Sequence, residues 1–178
     1  MSVFSNPAFD GHERVVFAQD KAAGLRAIIA IHNTQLGAGV GGCRMYPYAS
    51  DDDALRDVLR LSRGMTYKSA LAGLPFGGGK SVIVGDPKMP RDEKERLIRS
   101  FAHAIKDIED YIVGPDMGTD EICMAWCHDV IGRAVGLPRE IGGIPLDLIG
   151  ATGFGLCASI EVASEFCDLD LNGATFVV

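Results

Sequence analysis

A single lysine behind three consecutive glycines, at the head of an apolar run, constrains this chain more than any other stretch. It reads Leu74-Pro-Phe-Gly77-Gly78-Gly79-Lys80-Ser81-Val82-Ile-Val84-Gly-Asp86-Pro87. Glycines carry no Cβ, so the expectation is a turn with positive φ that lets a substrate approach the backbone closely. Residues Ser81 to Val84 would anchor that turn as a buried strand. A lysine held there is partly desolvated, which disfavours the ammonium and lowers its pKa toward the range where it can exchange protons near neutrality. A phosphate-binding loop would need a glycine six residues before the lysine. That position is Leu74, with Gly73 one residue too early, so nucleotide triphosphate binding is set aside. A plain glycine-rich turn carrying a surface lysine is the alternative for Lys80 taken alone.

Composition narrows the class. The chain has 178 residues, 47% hydrophobic and 23% charged, enough for one sizeable core. Its 17 basic and 24 acidic residues give a formal net charge of −7 without any Lys/Arg cluster, which disfavours nucleic-acid binding. Asp51-Asp52-Asp53 fits a helix N-terminus better than an acidic tail. No apolar run approaches the ~18 residues needed to span a bilayer, and the chain reads as cytoplasmic. The five cysteines contain no Cys-x-x-Cys pair, so neither a disulfide framework nor a zinc ribbon is indicated. Cys123 and Cys127 share a helical face beside His128 but read as small core hydrophobes, and no metal site is expected.

Strand and helix signals alternate as in an α/β domain. Arg14–Ala18 and Leu25–Ile31 read as a hairpin turning at Asp20–Gly24. Ser50 can cap a helix whose Leu55, Val58, Leu59, Ser62 and Met65 share one face and which delivers Lys68 just past its end. After the Ser81–Val84 strand, Pro90 and Asp92 open a helix facing the core with Leu97, Ile98, Phe101, Ile105 and Ile108. Tyr111–Val113 is a short strand running to Asp116. Thr119 or Asp120 caps a helix from Glu121 to about Val135, stopped by Gly136-Leu-Pro138. A loop at Gly142–Pro145 leads to a helix from Ala151 to about Phe166. The final Ala174–Val178 has the look of a first strand of a dinucleotide-binding fold. The G-x-G-x-x-G fingerprint that would follow such a strand does not occur before Val178.

Gly64-Met65-Thr66-Tyr67-Lys68 precedes the lysine segment, Gly41-Gly42-Cys43-Arg44-Met45 precedes that, and Gly114-Pro115-Asp116-Met117-Gly118-Thr119 follows. In this collinear order, with Leu74 to Pro87 meeting every position of the family's active-site signature, the chain resembles the glutamate/leucine/phenylalanine/valine dehydrogenases. The resemblance implies an α/β substrate domain, a mixed sheet flanked by helices, over residues 1–148. Residues 149–178 would begin a Rossmann-type NAD-binding domain that is truncated here. It further implies Lys80 as catalytic acid/base and Asp116 as the group moving protons to and from the amino group. Lys68 would bind the substrate α-carboxylate, Gly41 and Gly42 would let the backbone approach it, and Thr152 would contact the nicotinamide. On residues alone, Asp116 also reads as a turn-capping aspartate, Lys68 as a solvated helix-end lysine and Thr152 as a helix N-cap.

Substrate preference follows from the same likeness. Glutamate dehydrogenases carry a lysine where this chain has Val40, and a glutamine where it has Met65. A second substrate carboxylate buried against valine would lack a partner at a cost of several kcal/mol. Gly114 removes bulk from the pocket wall and leans toward a larger apolar side chain. The expectation is therefore reversible NAD-dependent oxidative deamination of an apolar L-amino acid, of leucine/valine or phenylalanine type, to the 2-oxo acid and ammonia by a homo-oligomer. NAD rather than NADP rests on family habit. A glutamate dehydrogenase, or a non-catalytic fragment or paralogue that binds amino acids, is the alternative; the intact Lys68, Lys80 and Asp116 argue against a decayed site.

Overall fold

A computed structural model describes residues 2–146 and 148–177. The chain separates into one compact unit ending at Gly143 and a second beginning at Ile144. The first unit is built on a five-stranded sheet, β1 (Arg14–Asp20), β2 (Leu25–Asn33), β3 (Gly39–Tyr46), β4 (Gly77–Val84) and β5 (Tyr111–Pro115), in the order β1-β2-β4-β3-β5. The expected hairpin is present: β1 and β2 are antiparallel, with Arg14 opposite Ile31 and Asp20 opposite Leu25. Strand β2 is antiparallel to β4, whereas β3 runs parallel to both β4 and β5. Parallel neighbours require crossovers. The helices α1 (Asp51–Leu71), between β3 and β4, and α2 (Arg91–Ala104), between β4 and β5, supply them. This is the expected mixed sheet with flanking helices.

Each face of the sheet buries its own core. Ile28, Ala30 and Val82 pack with Ala54, Leu55, Val58 and Leu59 of α1 on one side. On the other, Ile29, Ile31, Ile83 and Tyr111 pack with Leu97, Ile98 and Phe101 of α2 and with Met124 and Cys127 of α3 (Glu121–Ile131). Alternation along β2 and β4 feeds both layers, which is why these central strands read as unbroken apolar runs.

Helix α1 starts as its sequence predicts: the Ser50 Oγ accepts from the Asp53 N–H at 3.1 Å, and three aspartates occupy the positive first turn. It runs on to Leu71, so Lys68 lies within its last turn rather than past its end. Helix α2 stops at Ala104, and Ile105 and Ile108 reach the core from the turns that follow. Asp120, not Thr119, caps α3, its side chain accepting from the Cys123 N–H at 2.9 Å. Helix α3 ends earlier than its apolar pattern suggests, because Gly132 turns left-handed with φ 69°. The chain then lays Ala134 beside Val113 in a parallel bridge, and the Val135 N–H donates to the Val113 carbonyl at 2.8 Å.

A further expectation is corrected. Gly77, Gly78 and Gly79 form no turn and none has positive φ; they are the first residues of β4. Glycine is required by close packing: a Cβ on Gly77 would lie 2.0 Å from the Asn33 carbonyl oxygen, and one on Gly78 2.0 Å from Thr66 Oγ1. On Gly79 a Cβ would lie 2.7 Å from the Tyr111 ring. Strand β3 carries no clear alternating apolar signal, since Gly39, Gly41 and Gly42 share its buried positions with Cys43 and Met45, and it reads in sequence only as a glycine-rich run.

In the second unit α4 (Ala151–Cys167) follows Gly150 and ends at Asp168, both in the left-handed region. The expected strand at its far end is absent among the described residues: 174–177 pair with no neighbour, and a strand exists only through such a ladder. Val178 lies outside the described residues.

Candidate active site

The α1 face of the sheet collects the chemistry. A Cβ on Gly78 would meet Thr66 and Ser62 of α1, and Val82 belongs to the α1-side core, so Lys80, lying between them on β4, points the same way. Val40 pairs with Gly78 and Arg44 with Val82 in the parallel β3–β4 ladder, which puts Val40, Gly42 and Arg44 on that face too. Lys80 is 6% exposed, and its strand neighbour on β2 is Ala30. Burial of an ammonium is costly without a partner. Asp116, on the turn after β5, supplies one: the Lys80 Nζ donates to Asp116 Oδ2.

That turn is held rigidly. Thr119 Oγ1 accepts from the Asp116 N–H at 3.0 Å and donates to the Cys43 carbonyl at 2.7 Å, tying the turn to β3. The Met45 N–H donates to the Met117 carbonyl at 2.9 Å. Gly118 closes the turn with φ 83°, and a Cβ there would stand 2.1 Å from the Met45 carbonyl oxygen. Only glycine meets both demands.

The second oxygen of Asp116 is occupied as well. Oδ1 accepts from the Met117 N–H at 2.5 Å and lies 3.4 Å from Arg44 Nη2. Arg44 Nη1 donates to Asp57 Oδ2 at 2.9 Å, and the Tyr48 hydroxyl donates to the same oxygen at 2.6 Å. Burial would push the Asp116 carboxyl up, but the hydrogen bond and charge of Lys80, the Met117 amide and Arg44 together hold it below the usual carboxylate range. Burial likewise works against the Arg44 guanidinium, and the carboxylates of Asp116 and Asp57 outweigh it, so its pKa rises. On the reverse face the buried Tyr111 hydroxyl donates to the Gly41 carbonyl at 3.0 Å and sits 3.0 Å from Ser81 Oγ, locking β3 to β4 behind Lys80.

Of the sequence-derived site residues, Lys80 and Asp116 meet directly, and Val40 and Gly42 share their face. The space Gly41 and Gly42 leave is used by the protein itself: a Cβ on Gly41 would lie 1.6 Å from the Gly79 carbonyl oxygen. One on Gly42 would lie 2.7 Å from Asp116 Cβ. At Gly114 the room is filled by Val135, whose Cγ2 would stand 3.0 Å from an added Cβ. Met65 is half-buried and Lys68 exposed near the end of α1, where residues three apart share a face. Among the described residues neither hydrogen bond nor ion pair joins Lys68 to Lys80 or Asp116. Thr152 is exposed in the first turn of α4, in the second unit.

Sequence reasoning missed Arg44, Asp57, Tyr48 and the pinning role of Thr119. The signal for Arg44 was its two-residue spacing from Gly42, which becomes legible once β3 is known to be a strand. A cavity of about 340 Å³ adjoins this group, lined by Arg44, Tyr48, Asp57, Arg60 and Met117 among others. Neither Lys80 nor Lys68 lines it.

Comparison with known proteins places these residues in context. The pattern of the Glu/Leu/Phe/Val dehydrogenase dimerisation domain matches residues 12–133. A phenylalanine dehydrogenase of Caldalkalibacillus thermarum is 44% identical over 167 residues, 93% of this chain and 44% of the relative. A leucine dehydrogenase of Geobacillus stearothermophilus is 42% identical over 168 residues, again 93% of this chain and 44% of the relative. Among solved structures, the Leu-bound form of a hetero-hexameric glutamate dehydrogenase from Thermus thermophilus aligns with TM-score 0.74 and 29% identity. That alignment covers 90% of this chain and 42% of the other. An L-tryptophan dehydrogenase from Nostoc punctiforme aligns with TM-score 0.66 and 38% identity over 70% of this chain and 37% of the other. The chain thus spans less than half the length of each of these proteins.

Proposed function

The chain belongs to the Glu/Leu/Phe/Val dehydrogenase family, and from that premise we propose that it serves reversible, NAD-dependent oxidative deamination of an apolar L-amino acid. The observation that carries this reading is the buried Lys80–Asp116 pair, a base and an acid in contact on the face that also bears Val40. Passage of the shared proton from Nζ to Oδ2 converts the ion pair into an amine and a carboxylic acid. Those are the forms needed to draw a proton from an attacking water and to protonate a departing amine. Lys68 takes the substrate α-carboxylate. The exposed hydroxyl of Thr152 is suited by its donor and acceptor character to the carboxamide of a nicotinamide, whose part when bound is to accept hydride.

Val40 stands where an acidic substrate side chain would need a cation, which supports leucine, valine or phenylalanine over glutamate. The same reading assigns residues 1–148 to a substrate-binding, dimerisation domain and 149–178 to the start of a dinucleotide-binding domain. Homo-oligomeric assembly through the N-terminal strands is supported by β1, which stands at the sheet edge with one side unpaired among the described residues. Among the described residues no helix is long and apolar enough to cross a membrane, and a cytoplasmic location fits that.

The test is a panel of leucine, valine, phenylalanine and glutamate, with NAD and NADP, on the complete protein and its Lys80→Ala variant. Turnover of the apolar substrates, lost in a folded Lys80→Ala, is the expected result. Strong glutamate turnover overturns the pocket argument, and activity retained by Lys80→Ala overturns the role of the pair.

A further inference from the structure

Asp116 is held by more than its turn. We infer that Arg44 is a positioning residue for the acid/base pair: braced by Asp57 and Tyr48, its guanidinium fixes Asp116 Oδ1 and so leaves the other oxygen turned to Lys80. This rests on the reading of Lys80 and Asp116 given above. Arg44 sits on β3 two residues beyond Gly42, and its planar fork spans two carboxylates, Asp57 at 2.9 Å and Asp116 Oδ1 at 3.4 Å. A lysine offers a point charge and no such fork.

The side chains of Arg44 and Asp116 are 19% and 16% exposed, so water screens their attraction far less than at an open surface. The division of labour at Asp116 is clean. Oδ2 goes to Lys80, while Oδ1 goes to the Met117 amide and Arg44, so the carboxylate plane is set independently of the lysine. Asp57 accepts from both Arg44 Nη1 and the Tyr48 hydroxyl on one oxygen, which fixes the far side of the guanidinium and keeps its Nη2 beside Asp116 Oδ1.

Arg44 Nε is buried without a hydrogen-bond partner among the described residues. Leaving a buried donor unsatisfied costs free energy, which argues that the residue is placed for what its other nitrogens do rather than for stability alone.

The groups facing Asp116 are Lys80 from β4 and Arg44 from β3, with Asp57 from α1 and Tyr48 behind Arg44, while Cys43 and Tyr111 lie on the reverse face of the sheet. Cys43 and Tyr111 are neutral, their pKa values pushed up by burial. Lys80 and Arg44 are therefore the cations that set the Asp116 charge.

The Asp116 carboxyl carbon, followed by NMR across an acid titration of the whole chain, reads this coupling whether or not the chain turns over an amino acid. Arg44→Met is expected to raise the Asp116 midpoint by about one pH unit, and Arg44→Lys by clearly less. Arg44→Gln carries the same comparison if Arg44→Met does not fold. An Asp116 midpoint unmoved in a folded variant overturns the proposal. In the complete protein, Arg44→Lys should lower kcat and shift the acid limb of its pH profile upward while leaving KM for the amino acid nearly unchanged. A shifted Asp116 midpoint in a protein without any turnover would sustain the Arg44 coupling and sink the enzymatic reading. Wild-type turnover with an unmoved midpoint would do the reverse.

Discussion

Asp116 reaches Lys80 across the full width of β3, passing over Gly42. The lysine is on β4 and the aspartate follows β5, with β3 lying between them. Two strand spacings of about 4.8 Å must therefore be bridged by one long side chain and one short one. A Cβ on Gly42 would stand 2.7 Å from Asp116 Cβ and 3.0 Å from its Oδ2. The glycine is the floor on which the pair meets.

Gly42→Ala should accordingly displace the carboxylate while leaving the sheet hydrogen bonds in place. We expect a stability loss of about 1–3 kcal/mol by chemical denaturation, typical of overpacking. Turnover of the complete protein should fall by roughly a hundredfold, since a shift of about 1 Å at a catalytic group has that effect. An alanine variant with unchanged turnover would show that the pair does not depend on this opening.

Gly64→Ala is the opposite case. Gly64 lies in the interior of α1, with nothing within 4 Å of an added Cβ. Alanine there removes backbone freedom from the unfolded chain and should stabilise by about 0.5–1 kcal/mol, visible as a higher urea midpoint. A lower midpoint would mean that the helix is covered at this point by something this chain does not supply.

His12 should set a mild-acid limit to stability. Its Nδ1 accepts from the Asp10 N–H at 3.2 Å, so the ring proton is on Nε2, which donates to the Leu59 carbonyl at 3.0 Å. Protonation at Nδ1 would break the first of these bonds. Burial is the main cause that lowers the His12 pKa below its ordinary 6.5, joined by the nearby His32 and Arg63, against the Leu59 carbonyl and Asp10, which raise it. The folded state then binds fewer protons than the unfolded one just below that value. The contribution is intact above pH 6.5 and is lost as pH falls through the lower folded pKa. Denaturation midpoints measured from pH 7.5 to 5 should decline, and His12→Gln should flatten the decline. An equally steep slope in the variant would place its origin elsewhere.

The cysteines divide by burial. Cys43, Cys123 and Cys127 are buried, with Cys43 and Cys123 thiols pushed up to about 12 by desolvation, whereas Cys157 and Cys167 are exposed. Thiolate is the reactive form. A chromogenic disulfide reagent should therefore label two thiols quickly in the native chain and the remaining three only on unfolding. Fast native labelling of Cys127 would indicate that the α2–α3 core opens readily.

Much of the fold was legible because it is local. The Ser50 cap, the apolar face of α1 and the β1–β2 hairpin are set by residues near one another in sequence, and each appears where those residues point. Lys80 and Asp116 stood out through the company they keep in their motifs. What the sequence alone determined is thus the helices, the hairpin and the β4 run, together with the two residues, Lys80 and Asp116, that the structure brings into contact. Only the tertiary structure decided that the triple glycine is strand rather than turn, that β3 runs between Lys80 and Asp116, and that Arg44 and Asp57 stand behind Asp116. Those facts depend on ladder register and cross-strand clearance, in which residues as far apart as Arg44 and Asp116 share one small volume, and no local preference of either residue encodes that meeting.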